Sequence, residues 1–266
     1  MDKLLNVDLY RLKKDKTALI GVIISAGLLV FTIGLSLIMK ILGTVTATGG
    51  LDALFTPKST YIQGFQMGSN AGLVVIIILT VITTREFTQN TIRLKIINGF
   101  DRRKIYFSAL FTNLIYGITV IFGYSLLSLL GTSAIFGYGS EFNYQELVDL
   151  TLVTFMALIY VAVYVSLVTA VGMRMQRIGA TIGISIGVIL GETIIYSFVV
   201  MLPILAGKIP IWVMKVLHIL PSVGMGSLVM FNYNAELIVI MLVSSIVLII
   251  GINLLAMYSF TKVDIK

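Results

Sequence analysis

Six stretches of the chain are each apolar enough and long enough to cross a bilayer, and together they take up most of its 266 residues. A helical span needs about 20 apolar residues to cover roughly 30 Å of hydrocarbon. In lipid, only a helix or a closed barrel satisfies its own backbone polar groups. The stretches are Thr17–Met39, Gly64–Thr84, Ile105–Tyr138, Leu147–Met173, Ile178–Leu202 and Glu236–Phe260. They predict an all-α polytopic membrane protein, with residues 1–16 as an amphipathic lead-in and 17–266 as a six-span domain. The third stretch is long enough to tilt or to run past the headgroups. The first is too long for a signal-peptide core and follows a charged segment, so it is expected to stay as an anchor. With 58% hydrophobic and 12% charged residues, against about a quarter charged in soluble domains, a water-soluble enzyme, a nucleic-acid reader and a disordered chain are excluded.

Lysine and arginine set the expected orientation, because they collect on the cytoplasmic side of a membrane. Fifteen of them fall in the N-terminal segment, the loops after the second and fourth spans and the C-terminal tail, against four on the other side (Lys40, Lys58, Lys208 and Lys215). Both termini are therefore expected to be cytoplasmic in a multi-pass cell-membrane protein. The acidic stretch Glu141–Asp149 falls on the external side, as this orientation requires. No Cys and a single His remove disulfides and thiolate sites and leave no metal site to expect. No phosphate-binding loop of the G-x-x-x-x-G-K-[ST] type occurs, so any nucleotide chemistry is expected on another subunit.

The loop from Thr84 to Lys104 carries the most information. Phe87, Ile92, Leu94, Ile96, Ile97 and Phe100 make it too apolar for a solvated loop, and it is too short and charged to span. Thr91 can cap a short helix through its hydroxyl, Asn90 tolerates the left-handed bend before it, and Asn98-Gly99 is a stop signal. The expectation is a short amphipathic helix along the cytoplasmic face, with Arg102, Arg103 and Lys104 anchoring the next span at the headgroups. A basic anchor with no partner is the plainer reading of the same charges.

Glu86, then Asn90-Thr91, then Asn98-Gly99-x-x-Arg102-x-Lys104 and a return into the membrane resemble the coupling region of the second type of ABC exporter permease, the ABCG-like fold. The likeness is strongest to the small permeases of bacitracin, lantibiotic and related peptide export or immunity systems. In that family a Glu ends the second span, Gly-Thr opens the coupling helix, and Gly or Pro followed by Ser-Arg closes it. Asn90 stands here for the usual Gly and Asp101 for the usual Ser. The resemblance implies a permease subunit that docks on a cytosolic ABC ATPase through Glu86, Phe87, Thr91, Ile92, Ile96, Gly99, Arg102 and Lys104. It further implies pairing with itself or a similar permease, export of a hydrophobic or amphipathic substrate such as an antimicrobial peptide, and ATP with Mg bound only by the partner ATPase.

The fifth span carries glycine at every fourth position, Gly179, Gly183, Gly187 and Gly191, which gives one ridge without side chains on a helix. Such ridges let helices approach closely in lipid, so a tight contact is expected there: a dimer or translocation seam, or an intrachain neighbour. Glu192 lies well inside the same span, roughly 20 Å from the cytoplasmic end by helical rise. A charge at that depth is costly; it belongs to the translocation path, carries a proton, or bonds to a Thr, Tyr or Ser of a neighbouring span.

Before the last span, Ile211–Leu220 is apolar but too short to cross. It reads as an external re-entrant helix with Pro210 at its start, Trp212 at headgroup level, and Lys215 and His218 on its wet face. Re-entrant segments at this place recur in the ABCG-like fold. Residues 2–16 put Leu5, Leu9 and Leu12 on one face and leave Lys3, Arg11 and Lys14 for lipid phosphate; they resemble the connecting helix of that fold, or serve as a simple basic anchor. Two further functions fit the sequence. One is an ATP-independent secondary carrier or channel with Glu192 as the coupling carboxylate. The other is a membrane-embedded enzyme, disfavoured because one His, no Cys and one intramembrane acid leave no catalytic set.

Overall fold

The computed structural model describes residues 2–41, 56–68, 70–138, 144–206, 211–229 and 234–262. Glu141, Lys208, Pro210 and Lys266 lie outside the described residues, as does the side chain of Trp212. The described part is all-α, and six of its helices are long and apolar enough to cross a membrane. The chain is thus an all-α polytopic membrane protein. Helix α1 (Asp2–Lys14) precedes the first long helix, α2 (Lys16–Ile41). A short α3 (Pro57–Gln63) leads into α4 (Asn70–Thr88), and the short α5 (Thr91–Ile97) into α6 (Arg102–Phe136). Then come α7 (Tyr144–Met175) and α8 (Ile178–Ala206), two short helices α9 (Ile211–Leu217) and α10 (Pro221–Val229), and α11 (Ala235–Lys262). The 35 residues of α6 come to about 50 Å at helical rise, so this helix projects beyond the roughly 30 Å hydrocarbon layer.

Helix α7 is central: α4, α6, α8 and α11 all pack on it, while α2 lies against α4 and α6. Most of the buried apolar side chains join one core, with Ile76, Leu79, Ile121, Val161 and Val165 fully enclosed. A second, smaller core sits at the end of the bundle that carries α1 and α5, around Leu4, Ile92, Tyr106 and Phe260. Apolar packing in lipid lacks a hydrophobic drive between helices, so close contacts and polar cross-links specify the arrangement. Asn113 of α6 donates to Thr83 of α4 and Thr169 of α7, both at 2.9 Å. Tyr106 donates to Asn253 Oδ1 of α11 at 2.7 Å, and Asn253 donates in turn to Ser166 of α7 at 3.1 Å.

Two expectations change. The second span does not begin at Gly64. Thr56 caps α3, accepting from the Ser59 amide at 3.2 Å, and Pro57 sits in its first turn. The chain then turns, and Asn70 enters α4 with φ 46°. The turn folds back so closely on α4 that a Cβ at Gly72 would lie 2.4 Å from Gln66 O and Met67 Cα. Absence of a side chain at residue 72 is what allows the break, so the second span is Asn70–Thr88.

The four-residue glycine ladder faces open space among the described residues. An added Cβ on Gly179, Gly183, Gly187 or Gly191 would meet nothing within 4 Å. Helix α8 faces the core with Thr181, Ser185 and Ile189 instead, and among the described residues no neighbour covers the ridge. Tight glycine contacts occur elsewhere: a Cβ at Gly21 would meet Tyr116, one at Gly117 would meet Val165, and one at Gly172 would meet Thr83, all under 3.0 Å.

Gly72→Ala is expected to destabilise the protein by about 1–3 kcal/mol, the usual cost of overpacking, seen as a lower melting temperature in detergent. Gly187→Ala should cause no such loss.

Candidate functional site at the end carrying α1 and α5

The loop between α4 and α6 forms one short helix because its ends are bent. Asn90 adopts φ 56° and starts α5 through its backbone, without a side-chain cap. Thr91 is therefore the first helical residue and not the cap. At the other end Gly99, at φ +82°, lets its own amide reach Ile96 O and the Phe100 amide reach Lys95 O. Asp101 then caps α6, accepting from the Arg103 amide at 3.3 Å, and this carboxylate does the capping work open to a serine at that position.

Of the residues singled out for docking, several face inward. Ile92 is fully buried, and Phe87 and Ile96 pack against the same small core. The Phe87 ring stands edge-on to Phe260 with centroids 6.4 Å apart. Arg102 donates to the carbonyls of Thr261 at 3.0 Å and Phe260 at 3.4 Å, closing the C-terminal turn of α11, where helix carbonyls otherwise lack partners. Gly99 and Lys104 are exposed, and Glu86 and Thr91 half-buried. The outward face of α5 is made instead by Leu94 (57% exposed) and Ile97 (70%), flanked by the exposed Arg93.

Beneath α5 lies a buried ion cluster. Lys95 Nζ lies 2.8 Å from Asp8 Oδ1 and donates to Asp8 Oδ2 at 3.0 Å. It also donates to both oxygens of Glu86, at 3.0 and 3.3 Å. Ser108 of α6 donates to Asp8 Oδ2 at 2.6 Å, and Arg11 reaches Glu86 Oε1 at 3.5 Å. Two carboxylates are thus matched by two cations, and the side chains of Lys95 and Asp8 are 8% and 3% exposed. A single ammonium joins α1, α4 and α5, while Ser108 brings in α6.

Asp8 and Lys95 were not singled out by the sequence reading, although their positions carried a signal. Asp8 lies four residues after Leu4 and four before Leu12, on the apolar stripe of α1; Lys95 sits between Ile92 and Ile96 on the inner face of α5. A charge on an apolar stripe needs a buried partner. Arg11, expected to be free for lipid phosphate, spends one nitrogen on Glu86. The most buried face of α1 is Leu4 and Asp8, with Leu5, Leu9 and Leu12 at its edges.

Glu192 is held away from this cluster. Its Oε2 accepts from Tyr164 of α7 at 2.6 Å and from Ser222 of α10 at 3.1 Å. Tyr164 and Ser222 also line a small cavity of about 160 Å³ together with Tyr160, Gln66 and Thr193. Lys215 of α9 pairs with Glu236 in the first turn of α11. His218 is not on a wet face: it is buried, with Nε2 2.7 Å from Ser227 Oγ across the α9–α10 turn.

Comparison of the sequence with protein-family models and with curated proteins gives no match.

Lys95→Met should cost about 3–5 kcal/mol, because it leaves Asp8 and Glu86 buried without their shared cation. Adding Asp8→Asn to that variant should restore part of the loss, read as the midpoint of thermal unfolding in detergent.

Proposed function

We propose that this chain is the permease subunit of an ATP-driven ABC exporter with an ABCG-like fold, moving a hydrophobic or amphipathic substrate such as an antimicrobial peptide. The observation that carries this reading is α5. It is a seven-residue helix lying between two spans, fixed from within by Ile92 and Lys95, yet it turns Leu94, Ile97 and Arg93 outward. Burying the ammonium of Lys95 needs two carboxylates on two other helices, an expensive way to hold an ordinary loop. It is a suitable way to make a short helix transmit force, because a push on α5 is passed to α1, α4 and α6 together. The docking surface is then Leu94 and Ile97 with Arg93 at their side, while Glu86, Phe87, Ile92, Ile96 and Arg102 brace it.

In this reading α1, α5 and both termini are cytoplasmic, as the distribution of Lys and Arg favours. ATP and Mg bind to the partner ATPase, and closure of two such ATPases pushes paired α5 helices to open the permease outward. The open ridge of Gly179, Gly183, Gly187 and Gly191 is the surface on which two permeases pair, since bare ridges favour close helix association in lipid. Glu192 serves packing: with Tyr164 and Ser222 both donating to it, it ties α8 to α7 and α10. That arrangement gives less support to a proton-coupled carrier centred on this carboxylate.

Co-purification with a co-expressed cytosolic ABC ATPase tests the docking reading. Leu94→Asp with Ile97→Asp should abolish recovery of the ATPase while the permease itself keeps its melting temperature, since both side chains are exposed; recovery at wild-type yield would overturn the reading. Gly183→Leu with Gly187→Leu should convert dimers to monomers in light scattering, and an unchanged mass would remove the ridge as the seam.

A further inference from the structure

Between α1, the first residue of α2 and the facing turns of α4 and α6 lies a cavity of about 540 Å³, within the roughly 300–1,000 Å³ typical of small-molecule sites. We infer that it holds the headgroup of one anionic phospholipid, with the phosphate bound by Arg11, Lys14 and Lys16.

Three carboxylates line the cavity, but each is already engaged. Asp8 is held by Lys95 and Ser108, and Glu86 by Lys95 and Arg11. Asp15 takes Arg85 at 3.3 Å and the Thr17 amide at 2.8 Å. Arg85 is equally spent. Its Nη1 also reaches Thr17 Oγ1 at 3.1 Å, and its Nε and Nη2 lie 2.8 and 3.2 Å from the Gln89 amide oxygen once that amide is turned to accept. Lys14 and Lys16, by contrast, are exposed and form no ion pair among the described residues. Lys14 stands over the ring of Tyr10, 4.6 Å from its centroid. Arg11 uses one nitrogen at 3.5 Å, and its side chain stays 40% exposed. The surplus charge at the mouth is therefore the two ammoniums, with the unspent N–H groups of the Arg11 guanidinium beside them, and these are the donors a phosphate diester takes.

Depth and lining select a lipid over a soluble anion. Lys16 opens α2 and Arg85 lies in the last turn of α4, so the cavity sits where two spans meet the interface. Further in, its wall turns apolar at Leu12, Ile82 and Ala109. The buried Thr83 accepts from Asn113 at 2.9 Å and donates to nothing among the described residues, which leaves its hydroxyl hydrogen for a glycerol ester oxygen. A zwitterionic headgroup would bring its own ammonium against the surplus cations, so the charge balance favours phosphoglycerol over phosphocholine.

Native mass spectrometry of the full chain, titrated with phosphatidylglycerol, phosphatidylcholine or glycerol phosphate, tests this inference. Each cation near a membrane phosphate contributes about fivefold in affinity. Lys14→Gln with Lys16→Gln should therefore weaken binding of a single phosphatidylglycerol by about 30-fold and leave phosphatidylcholine binding unchanged, whereas Lys14→Arg with Lys16→Arg should retain it. Equal affinity for the two lipids, or full binding by the double Gln variant, would overturn the inference. So would an equal loss from Lys13→Gln with Lys104→Gln, which would reveal general surface attraction. Glycerol phosphate displacing the lipid mole for mole would overturn it too, by showing a site for soluble anions.

Discussion

The end of the bundle that carries α1 and α5 is organised by one ammonium shared between two carboxylates. Lys95 has three N–H bonds to give, and Asp8 and Glu86 present the oxygens to receive them. Each of these groups alone would be costly to enclose. Together with Arg11 they are neutral, and the directional bonds fix where α5 lies relative to α1 and α4. The apolar packing around them, Leu4, Ile92 and Phe260, closes the site but would tolerate a sliding helix. Charge pairing supplies register, and grease supplies enclosure.

The same division runs through the membrane-crossing part. Outward faces are crowded with exposed apolar side chains such as Val30, Phe31, Val247 and Leu255, as suits a surface bathed in hydrocarbon. Inside, two asparagines do the specifying: Asn113 joins α6 to α4 and α7, and Asn253 joins α11 to α6 and α7. An amide offers two donors and one acceptor, so each can reach more than one neighbour, and leaving its hydrogens unmade in lipid would be expensive. Gly117 lets α6 approach Val165 of α7, and Gly172 lets α7 approach Thr83 of α4, which are the helices that Asn113 joins.

The spans were legible because a long apolar run has few alternatives in lipid, and the bends around α5 were legible because Asn90 and Gly99 are residues that accept positive φ. The start of the second span was not. Gly64 and Gly68 read as small members of an apolar run, and only the return of the chain over Gly72 shows that they form a turn. Facing was harder still on a helix as short as α5. Phe87, Ile92 and Ile96 look like a docking face in sequence, yet the exposed pair is Leu94 and Ile97, since α1 covers the other side. That choice depends on the Asp8–Lys95 pair, which joins residues 87 positions apart. No local pattern records such a pairing. The ladder on α8 was visible as a pattern, but whether a neighbour filled it could be learned only from the assembled bundle.

The open ridge of α8 has one further mechanical property. Helices that interlock through large side chains resist axial motion, because each step must lift a knob out of its hole. A groove floored by Gly179, Gly183, Gly187 and Gly191 has no teeth, so anything resting there can glide lengthwise at nearly constant contact. It behaves as a bearing rather than a ratchet.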